Sequence, residues 1–312
     1  MNRSLTIVMY HYVRDLQRSR YPALKGLPLD RFRSQLDYLC THHTPVAVQD
    51  VLAVLSDSGK DLPPNAFLLT FDDGFIDHFT NVFPLLDDRG VQGCFFPPAQ
   101  AILEHKVLDV HKIHFILAAG VAPRLLLDRV FGFLPEFGAL HDVRSREYYV
   151  RALSEVHRFD PPEVTLLKRL LQRELPPEVR SVIVDRLFSE YVTNEEAAFA
   201  AELYMSPEQI QCMIRHGMHI GGHGHRHVWL NCISPAEQQD EIDRSMHFLD
   251  ALGAPPSEWT MCYPFGAYDQ NVLDILQNRH CRLGFSVEPC VADLSRDCYL
   301  TLPRIDTNDL PV

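Results

Sequence analysis

The chain has 312 residues, 46% of them hydrophobic and 22% charged, enough to bury a sizeable core in one large α/β domain or two smaller ones. Its formal charge is -12, from 29 Lys and Arg against 41 Asp and Glu, and no basic stripe offsets it, so a nucleic-acid partner is not expected. No run approaches the roughly 18 apolar residues that span a bilayer, so no transmembrane segment is expected either.

From the N-terminus, Met1-Asn-Arg-Ser leads into the apolar run Leu5–Tyr10, which ends in His11. That run is too short for a signal-peptide core, and no small-residue cleavage pattern follows it. The eight cysteines include no C-x-x-C pair, and several sit inside apolar runs as buried free thiols do. The expectation is a reduced, cytoplasmic protein.

Leu5–Tyr10, Ala66–Phe71 and Gly93–Phe96 have the length and composition of buried strands, and each is followed by a turn and a helical pattern. Met218–Gly221, Trp259–Tyr263 and Leu283–Val287 are further strand candidates. Asp30 is placed to cap a helix over Arg31–Cys40. Ser206-Pro-Glu-Gln209 and Ser234-Pro-Ala-Glu237 each combine a cap, a first-position proline and a third-position Glu or Gln. Strands alternating with such helices predict an α/β fold with a mainly parallel sheet, open or closed into a barrel. From about 107 to 203 the alternation fails. Nearly every window there is helical, punctuated by Pro161-Pro162 and Pro176-Pro177, and this stretch reads as a helical insertion in one domain spanning 1–312. Lid, dimerisation surface and inert packing are all open as its role.

Three segments carry chemistry. Phe67-Leu-Leu-Thr-Phe-Asp72-Asp73-Gly74 is a strand ending in two carboxylates, and in parallel α/β folds strand carboxyl ends open onto the active site. Adjacent acids repel, which a cation would relieve; the alternative is an Asp-Gly turn in which Asp73 caps a helix from Phe75. Gly221-Gly-His223-Gly-His225-Arg-His227 follows a strand too. On a helical turn, His223 and His227 project from one face and can grip one ion, with His225 pointing elsewhere. Imidazole suits zinc and its first-row neighbours, and a carboxylate would complete a three-ligand set with a position open for water. The third segment, Met261-Cys-Tyr-Pro264-Phe265-Gly266, is a rigid turn after a strand.

Together these segments resemble the polysaccharide deacetylase family, the hydrolases sharing the NodB homology domain (carbohydrate esterase family 4). Thr70-Phe-Asp-Asp-Gly74 matches that family's first motif without change. His223-Gly-His-Arg-His227 matches its H-[ST]-x-x-H motif except at Gly224, and Tyr263-Pro-Phe-Gly266 is similar to its third, with Cys262 where many members carry arginine. The resemblance implies a distorted (β/α) barrel of the NodB type. It makes Asp72 the general base, Asp73, His223 and His227 the ligands of a divalent metal (Zn2+ first, Co2+ or Ni2+ also suited), and the Phe265 N–H an oxyanion donor. The family's late L-x-H motif is missing after Gly266. Ile7-Val-Met-Tyr-His11 looks like that motif moved to the N-terminus, as in the circularly permuted branch, and nominates His11 as general acid; a strand-end histidine that merely packs is the alternative. Leu302-Pro-Arg304-Ile-Asp306 resembles a string common in that branch, so Arg304 would orient Asp72 in place of the arginine absent at 262, a surface salt bridge being the alternative.

His42, His43, His105, His111, His114 and His141 have no ligand spacing tied to this site. Trp229 and Leu230 would wall a sugar pocket or belong to the core. The resemblance therefore implies N-deacetylation of an amino sugar, with a surface-polysaccharide precursor or oligosaccharide as the carbohydrate substrate if the enzyme is cytoplasmic. Two alternatives remain: a deformylase or amidase acting on another small amide, and a non-catalytic carbohydrate-binding protein on the same scaffold, for which Gly224 and Cys262 speak. Nothing in the sequence names the sugar or the oligomeric state.

Overall fold

The computed structural model describes residues 2–57, 59–138, 140–153 and 160–310. Its contacts separate into two compact units, one of 1–15, 26–106 and 200–312, the other of 16–25 and 107–199. Where the sequence reads one domain with an insertion near 107–203, the inserted stretch is thus a unit of its own that also recruits 16–25; residues 139 and 154–159 of that stretch lie outside the described residues.

The first unit is built on six parallel strands: β1 (Ser4–Tyr10), β2 (Ala66–Asp72), β3 (Gly93–Phe96), β4 (His219–Ile220), β5 (Thr260–Cys262) and β6 (Leu283–Phe285). β1 pairs with β2, β2 with β3 and β3 with β4, all in parallel register. Beyond β4 the ladder passes through a single bridge, Gly222 to Met261, into β5 and β6. It continues from Phe285 to Leu302, and Ile305–Asp306 returns to β1 beside Val8 and Met9. The pairings therefore run round a closed circuit whose last stave is little more than Leu302–Asp306, the distortion expected of this barrel. A short antiparallel pairing of Ala292–Asp293 with Ser4–Leu5 lies on the same side of β1.

Alternation along the strands sorts the side chains. Leu5 and Ile7 of β1, Ala66 and Leu68 of β2, Cys94 and Phe96 of β3, Cys262 of β5, Leu283 and Phe285 of β6 and Leu302 share one buried cluster, the barrel interior. The opposite positions Tyr10, Phe71 and Phe95 stack in a row, at 5.1 and 4.8 Å between ring centroids, under the helical layer. All seven residues of β2 are buried because both its faces are covered, which is why its sequence is a continuous apolar run. Continuing the inner face upward, Thr70 and Asp72 follow Ala66 and Leu68, so the first catalytic candidate is aimed into the barrel mouth by strand period alone.

Both predicted capping boxes are present: Ser206 accepts from Gln209 N and caps Pro207–Arg215, and Ser234 accepts from Glu237 N and caps Pro235–Leu252. The Asp30 cap is not formed. That helix spans Leu29–His42 with Pro28 at its N-cap and Asp30 inside the first turn. The second unit is helical, including Asp109–Ala118, Pro123–Phe133, Pro162–Arg169 and Pro177–Tyr191, the last three opening on a proline. Phe115, Phe188 and Phe199 meet edge to face in its core, and buried Lys112 ties Asp185 and Glu196 at 2.6 and 2.9 Å. Among the described residues, no helix is long and apolar enough to cross a membrane.

Candidate active site and metal centre

The carboxyl ends of β1, β2, β4 and β5 bring the chemistry-bearing residues to one mouth of the barrel. In the β1–β2 register Tyr10 lies opposite Phe71, so the next positions, His11 and Asp72, are abreast. Asp72 and Asp73 are adjacent and would point to opposite faces if the strand ran on. It does not: Asp73 adopts φ 76, its N–H donating to Phe96 O at 3.1 Å, and both carboxylates stay at the mouth.

Left-handed backbone in a non-glycine residue costs roughly 1–3 kcal/mol and persists only where the surroundings enforce it. Of the six such residues described, three, Asp73, His227 and Phe265, belong to the site. The histidine segment is accordingly not the helical turn its four-residue spacing predicts. Residues 221–229 form an irregular loop in which Gly224 at φ 71 and His227 at φ 55 reverse the chain. That reversal sets the two imidazoles edge to face, with centroids 4.7 Å apart.

Nε2 of His223 lies 3.4 Å and Nε2 of His227 3.3 Å from the same Asp73 oxygen. The ligand atoms of all three residues fall within 4.8 Å of one another, and the residues are 2%, 9% and 4% exposed respectively. His223 Nδ1 is 2.8 Å from Cys262 O, which can only accept, so Nδ1 carries a proton and Nε2 is the nitrogen turned toward Asp73. Burial alone would lower the pKa of His223, but Cys262, Asp73 and Asp72 hold it well above its ordinary value, so a metal would take the place of the Nε2 proton. Two imidazole nitrogens and a carboxylate oxygen converging on one buried point form a candidate cation site, and this donor set suits a first-row divalent metal whose coordination three protein ligands leave incomplete. Asp72, His223 and Cys262 form a second converging group. That group is disqualified by charge, because both Asp72 oxygens already face a guanidinium.

The guanidinium is Arg304. It is wholly buried and donates Nη1 to Asp72 Oδ1 at 2.9 Å, Nη2 to Oδ2 at 2.8 Å, Nη1 to Thr70 Oγ1 at 3.1 Å and Nε to Ser286 O at 2.8 Å. The open alternative of a surface salt bridge is thus excluded by burial. Burial by itself pushes the Asp72 carboxyl up, but Arg304, with His223 and His11 behind it, outweighs this and holds it at about 2. Cys262, where the family motif carries arginine, is fully buried; burial raises its thiol, which stays protonated and donates to Asp72 Oδ2 at 3.3 Å. The arginine is supplied instead from the stave that closes the barrel.

His11 stands on the open side of Asp72, Nε2 to Oδ2 3.9 Å, with its side chain 45% exposed against 3% for Asp72. Its segment is held by three side chains that sequence reasoning passed over. His78 Nε2 donates to His11 O and Asn81 Nδ2 to Val13 O, both at 2.8 Å, and Asp77 pairs with Arg14 at 2.7 Å. Burial drives His78 down to about 4, so it sits there as a neutral donor. The available signal was Asp77, His78 and Asn81 on one face of the helical segment after Asp73-Gly74.

Phe265 has φ 58 within the Pro264–Gly266 turn. Its ring stacks on Trp229 at 4.6 Å and 5° and meets the edge of His227 at 4.7 Å, so an aromatic pair walls the candidate metal site. Leu230 is fully buried and belongs to the core. His225 points away from the ligand cluster, with Nε2 3.2 Å from Arg244 and 3.7 Å from Glu104.

A buried cation-type ligand set beside a clamped, ionised carboxylate, at the strand ends of a distorted barrel, has the layout of a hydrolytic site. A family model for polysaccharide deacetylases matches residues 185–283. YxkH of Bacillus subtilis (strain 168), provisionally named a polysaccharide deacetylase, is 27% identical over 96 residues, 31% of this chain and 34% of that protein, so only about a third of that relative is spanned. Over that window the chain is similar to the polysaccharide deacetylase family. The matched window holds His223–His227 and Tyr263–Gly266, while Asp72 and Asp73 lie upstream of it.

The fold agrees. Streptococcus pyogenes deacetylase PplD in complex with acetate is similar at a TM-score of 0.60 and 16% identity, with 98% of this chain and 93% of that one covered. The BpsB deacetylase domain from Bordetella bronchiseptica gives 0.56 at 14%, with 97% and 96% covered. IcaB from Ammonifex degensii gives 0.53 at 18%, with 97% and 91% covered.

Proposed function

We propose that this chain is a metal-dependent hydrolase that removes the N-acetyl group from an amino sugar in a polysaccharide or a polysaccharide precursor. The observation that carries the reading is the convergence of Asp73, His223 and His227 on one point beside an Asp72 whose both oxygens are held by Arg304.

A carboxylate held at about 2 is a weak base toward ordinary water. A divalent metal on the three ligands would supply what is missing, acidifying water and polarising the acyl carbonyl. Asp72, fixed by the guanidinium fork, then accepts the proton of the attacking water. His11 faces solvent across Asp72 and is the group placed to deliver a proton to the departing amine. The Phe265 N–H is the candidate donor to the oxyanion, and the flat Trp229–Phe265 pair offers an apolar face to a sugar ring. The relatives support the acetyl group and the saccharide: PplD is described as a deacetylase in complex with acetate and YxkH carries a polysaccharide deacetylase name.

The test is acetate release from N-acetylated oligosaccharides by protein loaded with Zn2+ or Co2+, beside Asp72→Asn and His223→Ala. Acetate from the wild type and neither variant is the expected result. Release of formate from formylated substrates without acetate would move the reading to deformylation. Sugar binding with no acyl release would favour a binder.

A further inference from the structure

The loop carrying His223 and His227 has no regular secondary structure, yet Gly221–His225 and His227 are buried. Its backbone polar groups must therefore find partners outside any ladder or helix. They are met from two sides. The carbonyls of Gly224 and His225 accept from Ala99 N and Gln100 N, at 3.2 and 2.9 Å, where the helix Ala99–Leu103 begins. The N–H groups of His225 and Arg226 both donate to Glu241 Oε2, at 2.9 and 2.8 Å, and Arg226 Nε donates to Glu241 Oε1 at 2.5 Å.

Glu241 lies on the helix Pro235–Leu252 within a stripe of buried polar residues, Gln238, Glu241 and Ser245, at 1%, 0% and 0% exposure. Spacings of three and four put all three on one helix face. A helix normally turns its apolar face inward, and a carboxylate is almost never fully buried unless paired. Here the polar stripe tracks the loop. Gln238 donates to Leu230 O at 2.8 Å, Glu241 underlies residues 224–226, and Ser245 Oγ lies where a Cβ on Gly222 would come within 2.7 Å. A Cβ at Gly224, which already has φ 71, would stand 3.3 Å from Glu241 Oε2, so glycine at that place goes with this carboxylate.

We propose that Glu241 is the positioning residue of the metal loop. By holding two consecutive amides on one oxygen it fixes the turn between His223 and His227, sustains the left-handed backbone at His227, and so makes the two Nε2 atoms converge on Asp73. Glu241 touches neither the ion nor the substrate. The proposal rests on reading Asp73, His223 and His227 as ligands, and its experiment separates the two claims.

Metal-free protein is titrated with Zn2+ against a chromophoric chelator, and the Co2+ d–d absorption, which reports ligand geometry, is recorded, for wild type, Glu241→Gln, Gln238→Met and His223→Ala. Glutamine keeps the volume of Glu241 but has one acceptor oxygen for three donors. Expected is a rise of roughly 10–100-fold in the Zn2+ dissociation constant of Glu241→Gln with an altered Co2+ spectrum. Gln238→Met, on the same stripe but against Leu230, loses thermal stability without losing ion affinity. Wild-type affinity and spectrum in Glu241→Gln, or an equal loss of affinity in Gln238→Met, overturns the proposal. If Glu241→Gln does not fold, Glu241→Asp, which keeps the charge one methylene short, decides by the same readouts: weakened binding supports the proposal and unchanged binding overturns it. Wild type binding no more tightly than His223→Ala would instead remove the ligand reading, and this inference with it.

Discussion

Replacing Arg304 with methionine leaves Asp72, 3% exposed, as a buried charge without its cation. Removing one partner of a buried ion pair costs about 3–5 kcal/mol, against a total stability of about 5–15 kcal/mol for a typical domain. At roughly 2–4 °C per kcal/mol, the melting temperature of Arg304→Met should fall by about 6–20 °C at neutral pH. The pH dependence fixes the mechanism. In the wild type, Asp72 is held at about 2 against its ordinary 3.8, so the stability it contributes is present above 3.8 and is lost as pH falls through about 2. Without Arg304, burial dominates and lifts the carboxyl above its ordinary value, so the folded variant gains relative stability once Asp72 can take a proton. The gap in melting temperature between variant and wild type should therefore narrow from pH 7 to pH 4. The acid limb of the activity profile should move to higher pH in Arg304→Lys, which keeps the charge without the bidentate fork. Urea and thermal unfolding of wild type, Asp72→Asn, Arg304→Met and the double variant form a cycle in which the double is more stable than the singles predict. Additive losses, or a gap that stays constant with pH, would refute the account of Arg304 as the clamp on Asp72.

Chelation of the purified protein should abolish acyl release, with activity restored by Zn2+ or Co2+; full activity in a metal-depleted sample, checked by elemental analysis, speaks against the ligand set. His11→Ala should lower kcat by roughly 10²–10⁴-fold, the span of a lost general acid, while bound metal stays at the wild-type level. Loss of metal in that variant would make His11 a ligand instead. Trp229→Ala removes the ring stacked on Phe265, and KM for an oligosaccharide should rise several-fold with kcat changed less; an unchanged KM would remove the aromatic pair from the substrate face.

The strands were legible because both faces of this barrel are covered: β2 reads Ala-Phe-Leu-Leu-Thr-Phe before its acid, and no surface helix would present so continuous an apolar run. The capping boxes at Ser206 and Ser234 were legible because a cap is a local hydrogen bond between residues three apart. The histidine loop was misread at the same local level. A four-residue spacing suggests a helical turn, whereas burial and Glu241 enforce a left-handed reversal that brings the same two rings together by another route. Asp30 failed as a cap for a related reason, since the chain enters that helix two residues earlier, at Pro28.

Sequence alone determined the candidate ligands and acids as residue types in order, the strand ends that carry them, and the helical character of about 107–203 among the described residues, because these follow from composition, period and short-range bonding. Tertiary structure decided what those residues are to one another. Arg304 reaches Asp72 across 232 positions of the chain because the stave bearing it closes the barrel. His11 comes abreast of Asp72 through strand register, and Glu241 reaches the histidine loop from a separate helix. Each of these is a contact between segments that no local pattern links, made where burial leaves a charge or an amide no partner but the one the fold supplies.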